Sequence, residues 1–225
     1  MSTKLPLRLL IACPCYPQGQ GVFSQTQAAI QELAQSSQSE VVYLKRPLGT
    51  ESAYANITAN YEEARTIALD RGVDALMCVE ADIVPPANAV EQLDCAGADV
   101  TYGLYVWRGQ RLWSAYSTVG ENQGVSLSAD PARARAEWGR VIDVQGVGLG
   151  CTLIRRHVLE AVTFRLPSED PEGICCAWMF AVDCNRLRFS QRAHLGVVCG
   201  HVLHSSSAGV LWPDPTAANL YRLDQ

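Results

Sequence analysis

Ala75–Pro86 constrains this chain more than any other stretch. Ala-Leu-Met-Cys-Val is an apolar run of strand length; it ends in Glu80-Ala81-Asp82, and Ile83-Val84-Pro85-Pro86 follows. Such a run closed by two prolines describes a buried strand running out to the surface. The acids therefore stand at its carboxyl end. Successive strand side chains point to opposite faces, but a turn that starts there can bring two carboxylates toward one hard cation shared with phosphate oxygens. In open α/β sheets ligands bind at that end. Acids that merely cap or solubilise a strand end look the same in isolation, so the surroundings must decide.

Upstream, Leu7–Cys13 reads as the first strand, stopped by Pro14-Cys15-Tyr16-Pro17. Gln18–Gly21 is a flexible turn that makes neither a dinucleotide-binding glycine fingerprint nor a phosphate loop. Ser24 is a plausible N-cap for a helix through Gln35, with Ile30, Leu33 and Ala34 facing inward. Val41–Leu44 is a second strand, ended by Pro47-Leu48-Gly49. From Ser52 to Arg71, Ile57, Tyr61, Ala64 and Ala68 recur at helical spacing, with Gly72 at the stop. After the acids come a short helix over Pro86–Leu93 and a strand over Val100–Val106. Alternating strands and helices imply a mostly parallel sheet covered on both faces.

Trp107–Arg140 lacks clean periodicity and reads as loops with a small hairpin, the kind of excursion that often forms a substrate lid. Its aromatics, Trp107, Trp113 and Tyr116, suit either stacking on a ligand or edge packing. Val141–Val144 is a further strand. Gly146-Val-Gly-Leu-Gly150 then makes a turn whose glycines let backbone approach a neighbour closely, before an apolar strand and a short helix to Glu160. Pro167–Gly173 is a loop, and Trp178–Arg188 is helical with Asp183 among apolar and basic neighbours. Leu195–Cys199 is the last convincing strand, with Gly200-His201 directly after it. The tail from Ser205 is expected to be mobile or to fold over the site.

With 225 residues, 48% of them apolar, the chain can bury one good core and is most simply one domain. No window of about 18 apolar residues occurs, so a soluble, cytoplasmic protein without stable membrane insertion is expected. Nine cysteines, an odd number without any Cys-x-x-Cys spacing, suit reduced buried thiols better than a disulfide framework or a zinc ribbon. A net charge of -5 argues against general polyanion binding. Residues 1–100 carry 6 basic and 12 acidic groups, whereas residues 101–225 carry 12 basic groups, all arginine, and 11 acidic ones. Arginine's planar fork suits phosphate and carboxylate, although solvated surface arginine explains the bias equally well.

Taken together, Arg65-Thr-Ile-Ala, the run Gly72–Pro85 around Glu80-Ala-Asp82, Ala98–Tyr105, and Gly146–Arg156 resemble GT-A-fold glycosyltransferases, family 2-like and of the small bacterial or bacteriophage type. The resemblance covers roughly residues 7–204 and lies in order and spacing. It implies a three-layer α/β/α sandwich of the GT-A kind with a mostly parallel central sheet. Residues 1–106 would form the nucleotide-sugar-binding half, 107–204 the acceptor side and 205–225 a tail.

The resemblance further implies a metal-dependent enzyme moving a sugar from a nucleotide diphosphate donor, a UDP-sugar above all, to an acceptor hydroxyl. Glu80, Asp82 and His201 would hold Mn²⁺ or Mg²⁺, with His204 competing for the last role and Glu80 departing from the family's Asp. Pro14, Tyr16, Arg65, Glu80, Ala81, Asp82, Gly148 and Gly150 would line the donor, and Thr66 departs from the family's Arg-Asn pair. Asp183 would take the acceptor proton, or else pair with Arg186 or Arg188. The acceptor stays open between a glycan, a lipid-linked precursor, a protein and a modified DNA base. A sugar-1-phosphate nucleotidyltransferase is a second reading, weakened by the missing glycine-arginine loop after the first strand. A non-catalytic nucleotide-sugar-binding module is a third.

Overall fold

The computed structural model describes residues 7–15, 21–45, 52–120, 124–167, 175–203 and 209–225. Tyr16, His204 and the loops expected at 18–20, 47–49 and 168–173 lie outside them. In chain order the elements are β1 (Leu9–Pro14), α1 (Ser24–Ser37), β2 (Glu40–Leu44), α2 (Ala53–Asp70), β3 (Ala75–Val79), β4 (Ile83–Val84), α3 (Ala89–Cys95) and β5 (Val100–Leu104). There follow β6 (Ala115–Val119), β7 (Gly124–Ser126), α4 (Pro131–Glu137), β8 (Val141–Asp143), β9 (Gly146–Val147), β10 (Cys151–Arg155) and α5 (Arg156–Ala161). The chain ends with α6 (Cys176–Arg186), β11 (Gln191–Val198), β12 (Gly200–Val202), β13 (Val210–Pro213) and β14 (Tyr221–Asp224).

Seven strands form the main sheet in the order β2-β1-β3-β10-β5-β11-β8. Its residues alternate between two cores, as the strand period of two requires. Leu10, Ala12, Leu76 and Cys78 pack with Tyr61, Ala64 and Ala68 of α2 and with Leu159 and Phe180 of α5 and α6. Leu9, Ile11, Ala75, Met77 and Val79 face the other way, onto Ile30 and Leu33 of α1 and Val90 and Leu93 of α3. Two apolar faces on one strand explain why β1 and β3 read as unbroken apolar runs. The result is a GT-A-like three-layer α/β/α sandwich.

Five of the seven strands run one way, and β10 and β8 run against them. Cys151 pairs with Val79 and Arg155 with Ala75, so β10 descends from the end of β3 toward its beginning. Chain continuity explains this. The excursion from β5 to β10 starts and finishes at the same rim, and Gly150 is held there by the Glu80 amide, which donates to its carbonyl at 3.0 Å. A chain that re-enters the sheet from the rim has to run downward.

The helix boundaries show what local chemistry controls. Ser52 caps α2 by accepting from the Ala55 amide, and Gly72 ends it at φ +64°, a conformation that favours glycine. Ser24, expected as a cap, is instead the first helical residue of α1, and Phe23 holds the cap position without a side-chain bond. The Pro86–Leu93 helix begins three residues later, at Ala89. Within 107–140 the hairpin is present as β6 and β7, but 131–137 is helical, where loop was expected. Asp130 caps that helix through the Ala132 and Arg133 amides and Pro131 opens it.

The strand over Leu195–Cys199 is not the last. In the tail, β13 and β14 join β12 and β4 in a four-stranded sheet ordered β14-β13-β12-β4. Of the lid aromatics, Trp113 is fully buried and donates through Nε1 to the Leu220 carbonyl at 2.7 Å, tying the excursion to the tail. All nine cysteines are free thiols, seven of them buried.

Candidate active site at the rim of the sheet

The acids occupy a short turn between β3 and β4 that is pinned from three directions. The Ile83 amide donates back to the Glu80 carbonyl at 3.0 Å, closing the turn. The Phe23 amide, at the start of α1, donates to the Ala81 carbonyl at 3.0 Å, and the Val202 amide of β12 donates to the Asp82 carbonyl at 2.8 Å. Ala81 and Asp82 are fully buried. A carboxylate without solvent must be met by cations or hydrogen bonds.

Two groups far away in the chain meet that demand. β12 pairs antiparallel with β4, setting His201 opposite Ile83, and this register delivers the imidazole to Asp82. His201 Nε2 lies 3.5 Å from Asp82 Oδ2. Its Nδ1 lies 2.7 Å from the Val106 carbonyl, which has no proton to give, so Nδ1 carries the hydrogen. The Tyr105 ring meets the imidazole edge-on, with centroids 5.5 Å apart. Arg108 Nη2 reaches the same Oδ2 at 2.9 Å, its side chain 27% exposed. It belongs to a tight turn in which the Trp107 amide donates to the Leu112 carbonyl at 2.8 Å and Val106 bridges Trp113.

Glu80 points another way. Its Oε1 accepts the Tyr61 hydroxyl of α2 at 2.6 Å. Burial, and after it the charge of Asp82, push the Glu80 carboxyl above its ordinary range, against the Tyr61 hydrogen bond and the positive fields of His201 and Arg108. Burial also raises the Tyr61 and Tyr105 hydroxyls well above the usual phenol value, so both are neutral donors.

Glu80, Tyr105, Arg108 and His201 border a cleft of about 260 Å³ at the rim, lined also by Tyr54 and Ile57 of α2, Trp107, Gly148 and Leu149, while Asp82 lies behind Arg108 and His201. That volume lies just under the range typical of small-molecule sites. A larger groove, about 340 Å³, lies between α1 and α3, but its acids Glu91 and Asp94 share one helix and Asp94 is paired with Arg155 at 2.6 Å. The convergent chemistry is in the smaller cleft. Gly148 and Gly150 serve close packing there: a Cβ on Gly148 would overlap the Tyr105 hydroxyl, and one on Gly150 would sit 2.9 Å from Ile83 Cγ1.

The remaining expected site residues are held elsewhere. Arg65 donates through Nε to the Leu159 carbonyl at 2.6 Å and through Nη1 to Glu62 at 2.6 Å, joining α2 to α5. Pro14 is the last residue of β1, in register with Leu44 of β2. Asp183 gives both oxygens to Arg165, at 2.7 and 2.9 Å, and meets Arg186 at 3.1 Å. Six residues of helix, about 9 Å of rise, separate it from Ala177 at the cleft wall. Of the two roles weighed for Asp183, this geometry is that of the structural ion pair with Arg186, extended by Arg165.

For a divalent ion the donor set is a buried carboxylate and an imidazole whose other nitrogen is committed to a carbonyl, the arrangement that orients metal-binding histidines. Among the described residues no group of three His, Cys, Asp or Glu side chains is disposed to hold a metal. Asp82 and His201 are the two side chains here that could hold an ion, and other oxygen donors would have to fill the rest of its shell. Sequence reading missed Tyr61, which looked like one more core residue on a helical stripe, and Arg108, which lay in an aperiodic loop. The position of Arg108 a few residues past the end of β5, at the same rim as the acids, is the signal that could have singled it out.

No family model matches the sequence, and a comparison with curated proteins finds no match. Solved structures do match. A197 from STIV superposes with a TM-score of 0.61 at 19% identity, over 97% of this chain and 93% of that one. A glycosyltransferase involved in glycosylation of the PBCV-1 major capsid gives 0.41 at 11% identity, over 68% and 62%. A putative glucose-1-phosphate thymidylyltransferase from Bacillus anthracis gives 0.46 at 10% identity, over 83% and 86%. The first likeness establishes the fold along nearly the whole chain, and the activity has to be argued from the site.

Proposed function

We propose that the protein is a glycosyltransferase that takes a sugar from a nucleotide diphosphate donor, with Mn²⁺ or Mg²⁺ as cofactor. One observation carries this reading: Asp82 and His201, more than a hundred positions apart, come within 3.5 Å at the carboxyl end of β3, where open α/β sheets bind their ligands. A divalent ion held by that pair would offset the charge that develops on a departing nucleoside diphosphate.

The chain's own groups suit the other tasks. Arg108 stands at the same carboxylate and brings a permanent positive charge to the cleft. Tyr61 fixes Glu80 against the cleft wall, and Trp107 offers an aromatic face of the kind on which sugars or bases stack. The donor is taken to be a UDP-sugar and the acceptor a glycan or a modified DNA base.

The test is donor hydrolysis and transfer across a panel of nucleotide sugars with Mn²⁺. Turnover that disappears in Asp82→Ala supports the transferase. Binding without turnover indicates a nucleotide-sugar-binding module, and pyrophosphate release from a nucleoside triphosphate with a sugar phosphate indicates a nucleotidyltransferase.

A further inference from the structure

Arg108 and a metal ion would compete for one oxygen atom. Arg108 Nη2 lies 2.9 Å from Asp82 Oδ2, and His201 Nε2 lies 3.5 Å from that same oxygen. An ion bound between the carboxylate and the imidazole would form a bond of about 2.1–2.6 Å to the oxygen. It would then sit against the guanidinium, and two cations on one buried carboxylate repel strongly where little water screens them. Asp82 is fully buried, whereas the Arg108 side chain is partly exposed and belongs to a turn at the mouth of the cleft. The arginine is the partner that can leave.

From this geometry we infer that Arg108 is an exchangeable latch: it neutralises Asp82 in the resting protein, gives way to the divalent ion, and pairs with the donor's phosphates once displaced. The inference rests on the proposed donor and metal, and it names the residue that couples them. A guanidinium displaced by a dication stays in the cleft beside Glu80, whose carboxyl the Tyr61 hydroxyl already holds, and its planar fork suits the phosphate oxygens of an arriving diphosphate. Metal and nucleoside diphosphate therefore bind as a linked pair, each raising the affinity for the other by the same factor. The free ion alone binds poorly because it has to expel a charge that is already in place. Such an arrangement offsets the Asp82 charge between turnovers.

The experiment measures Mn²⁺ binding by electron paramagnetic resonance, without any turnover, in the wild type and in Arg108→Gln, Arg108→Lys and Asp82→Asn. Arg108→Gln should bind Mn²⁺ alone about tenfold more tightly than the wild type, within the range usual for coupled sites. Arg108→Lys, which keeps the charge, should stay close to wild type, and Asp82→Asn should lose the ion. In a second arm, UDP, GDP and ADP are titrated in turn. At least one should strengthen Mn²⁺ binding in the wild type, and that gain should shrink in Arg108→Gln. Thermal melts identify any variant that has not folded, and the lysine variant keeps the comparison decidable if the glutamine variant has not. In that case, lysine-variant Mn²⁺ affinity far above wild type overturns the latch. Equal or weaker Mn²⁺ binding by folded Arg108→Gln, absence of binding in every variant, or an ion retained by Asp82→Asn overturns it as well. A protein that obeys this competition yet transfers no sugar keeps the latch and loses the transferase, so the two readings fail separately.

Discussion

Two buried aspartates, one at the sheet rim and one on α6, answer the same problem in opposite ways. Asp82 is fully buried and Asp183 is 5% exposed, and both are met by arginine. Asp183 spends both oxygens on the fork of Arg165 and adds Arg186 from its own helix. Its neighbourhood is electrically complete. Asp82 gathers Arg108 and His201 on a single oxygen, and both of these partners, unlike Asp82 itself, line the cleft together with Glu80. A buried acid whose donors surround it supports the fold, whereas one whose cationic partners face a cleft stands where those partners can meet a ligand.

The sharpest way to break this contrast is to neutralise each acid without changing its shape. Asp82→Asn should lower transfer on the order of a hundredfold or more. Asp183→Asn should leave the turnover of folded protein unchanged, and steady-state assays at matched folded concentration decide between them. Equal losses would erase the distinction. The second effect is on stability: Arg165→Ala leaves Asp183 buried with only the exposed Arg186. Urea denaturation should show a loss of about 1–2 kcal/mol, a value kept modest because Arg165 is 40% exposed and solvent already screens the pair.

The smallest effect concerns pH. Burial first and the Asp82 charge second raise the Glu80 carboxyl, so the folded protein holds that proton more tightly than the unfolded chain does. Its contribution is complete at pH below the ordinary glutamate value and fades as pH rises through the elevated one. Urea denaturation of wild type and Glu80→Gln between about pH 4 and about pH 7 should show a falling difference, largest at the acidic end. A flat difference would mean that the Tyr61 hydroxyl and the nearby cations fully cancel the burial of Glu80.

The parts of the molecule legible from sequence were those set by one face or one cap. The apolar runs of β1 and β3 announced a sheet covered on both sides, and Ser52 and Gly72 marked the ends of α2. The acids at 80 and 82 and the histidine after β11 were visible as a pattern because strand ends have recognisable chemistry. What stayed hidden depended on where the chain turned. β10 carries the same kind of apolar run as β3, and nothing in its residues tells whether it climbs or descends. Arg108 gains its meaning from Asp82, and Tyr61 from Glu80, through contacts that no local period encodes. The helix after Asp130 was locally written, with its cap and its proline, and was lost to the aperiodic look of the segment around it.

The four-stranded sheet that carries His201 reaches the acids through β4 and through the Val202 amide on the Asp82 carbonyl, continues from β11 through Cys199, and packs Leu211 of β13 into the main core. Asp82, one residue before β4, and His201 on β12 are therefore held by neighbouring strands of one small sheet, and a shift of that sheet would carry both side chains together.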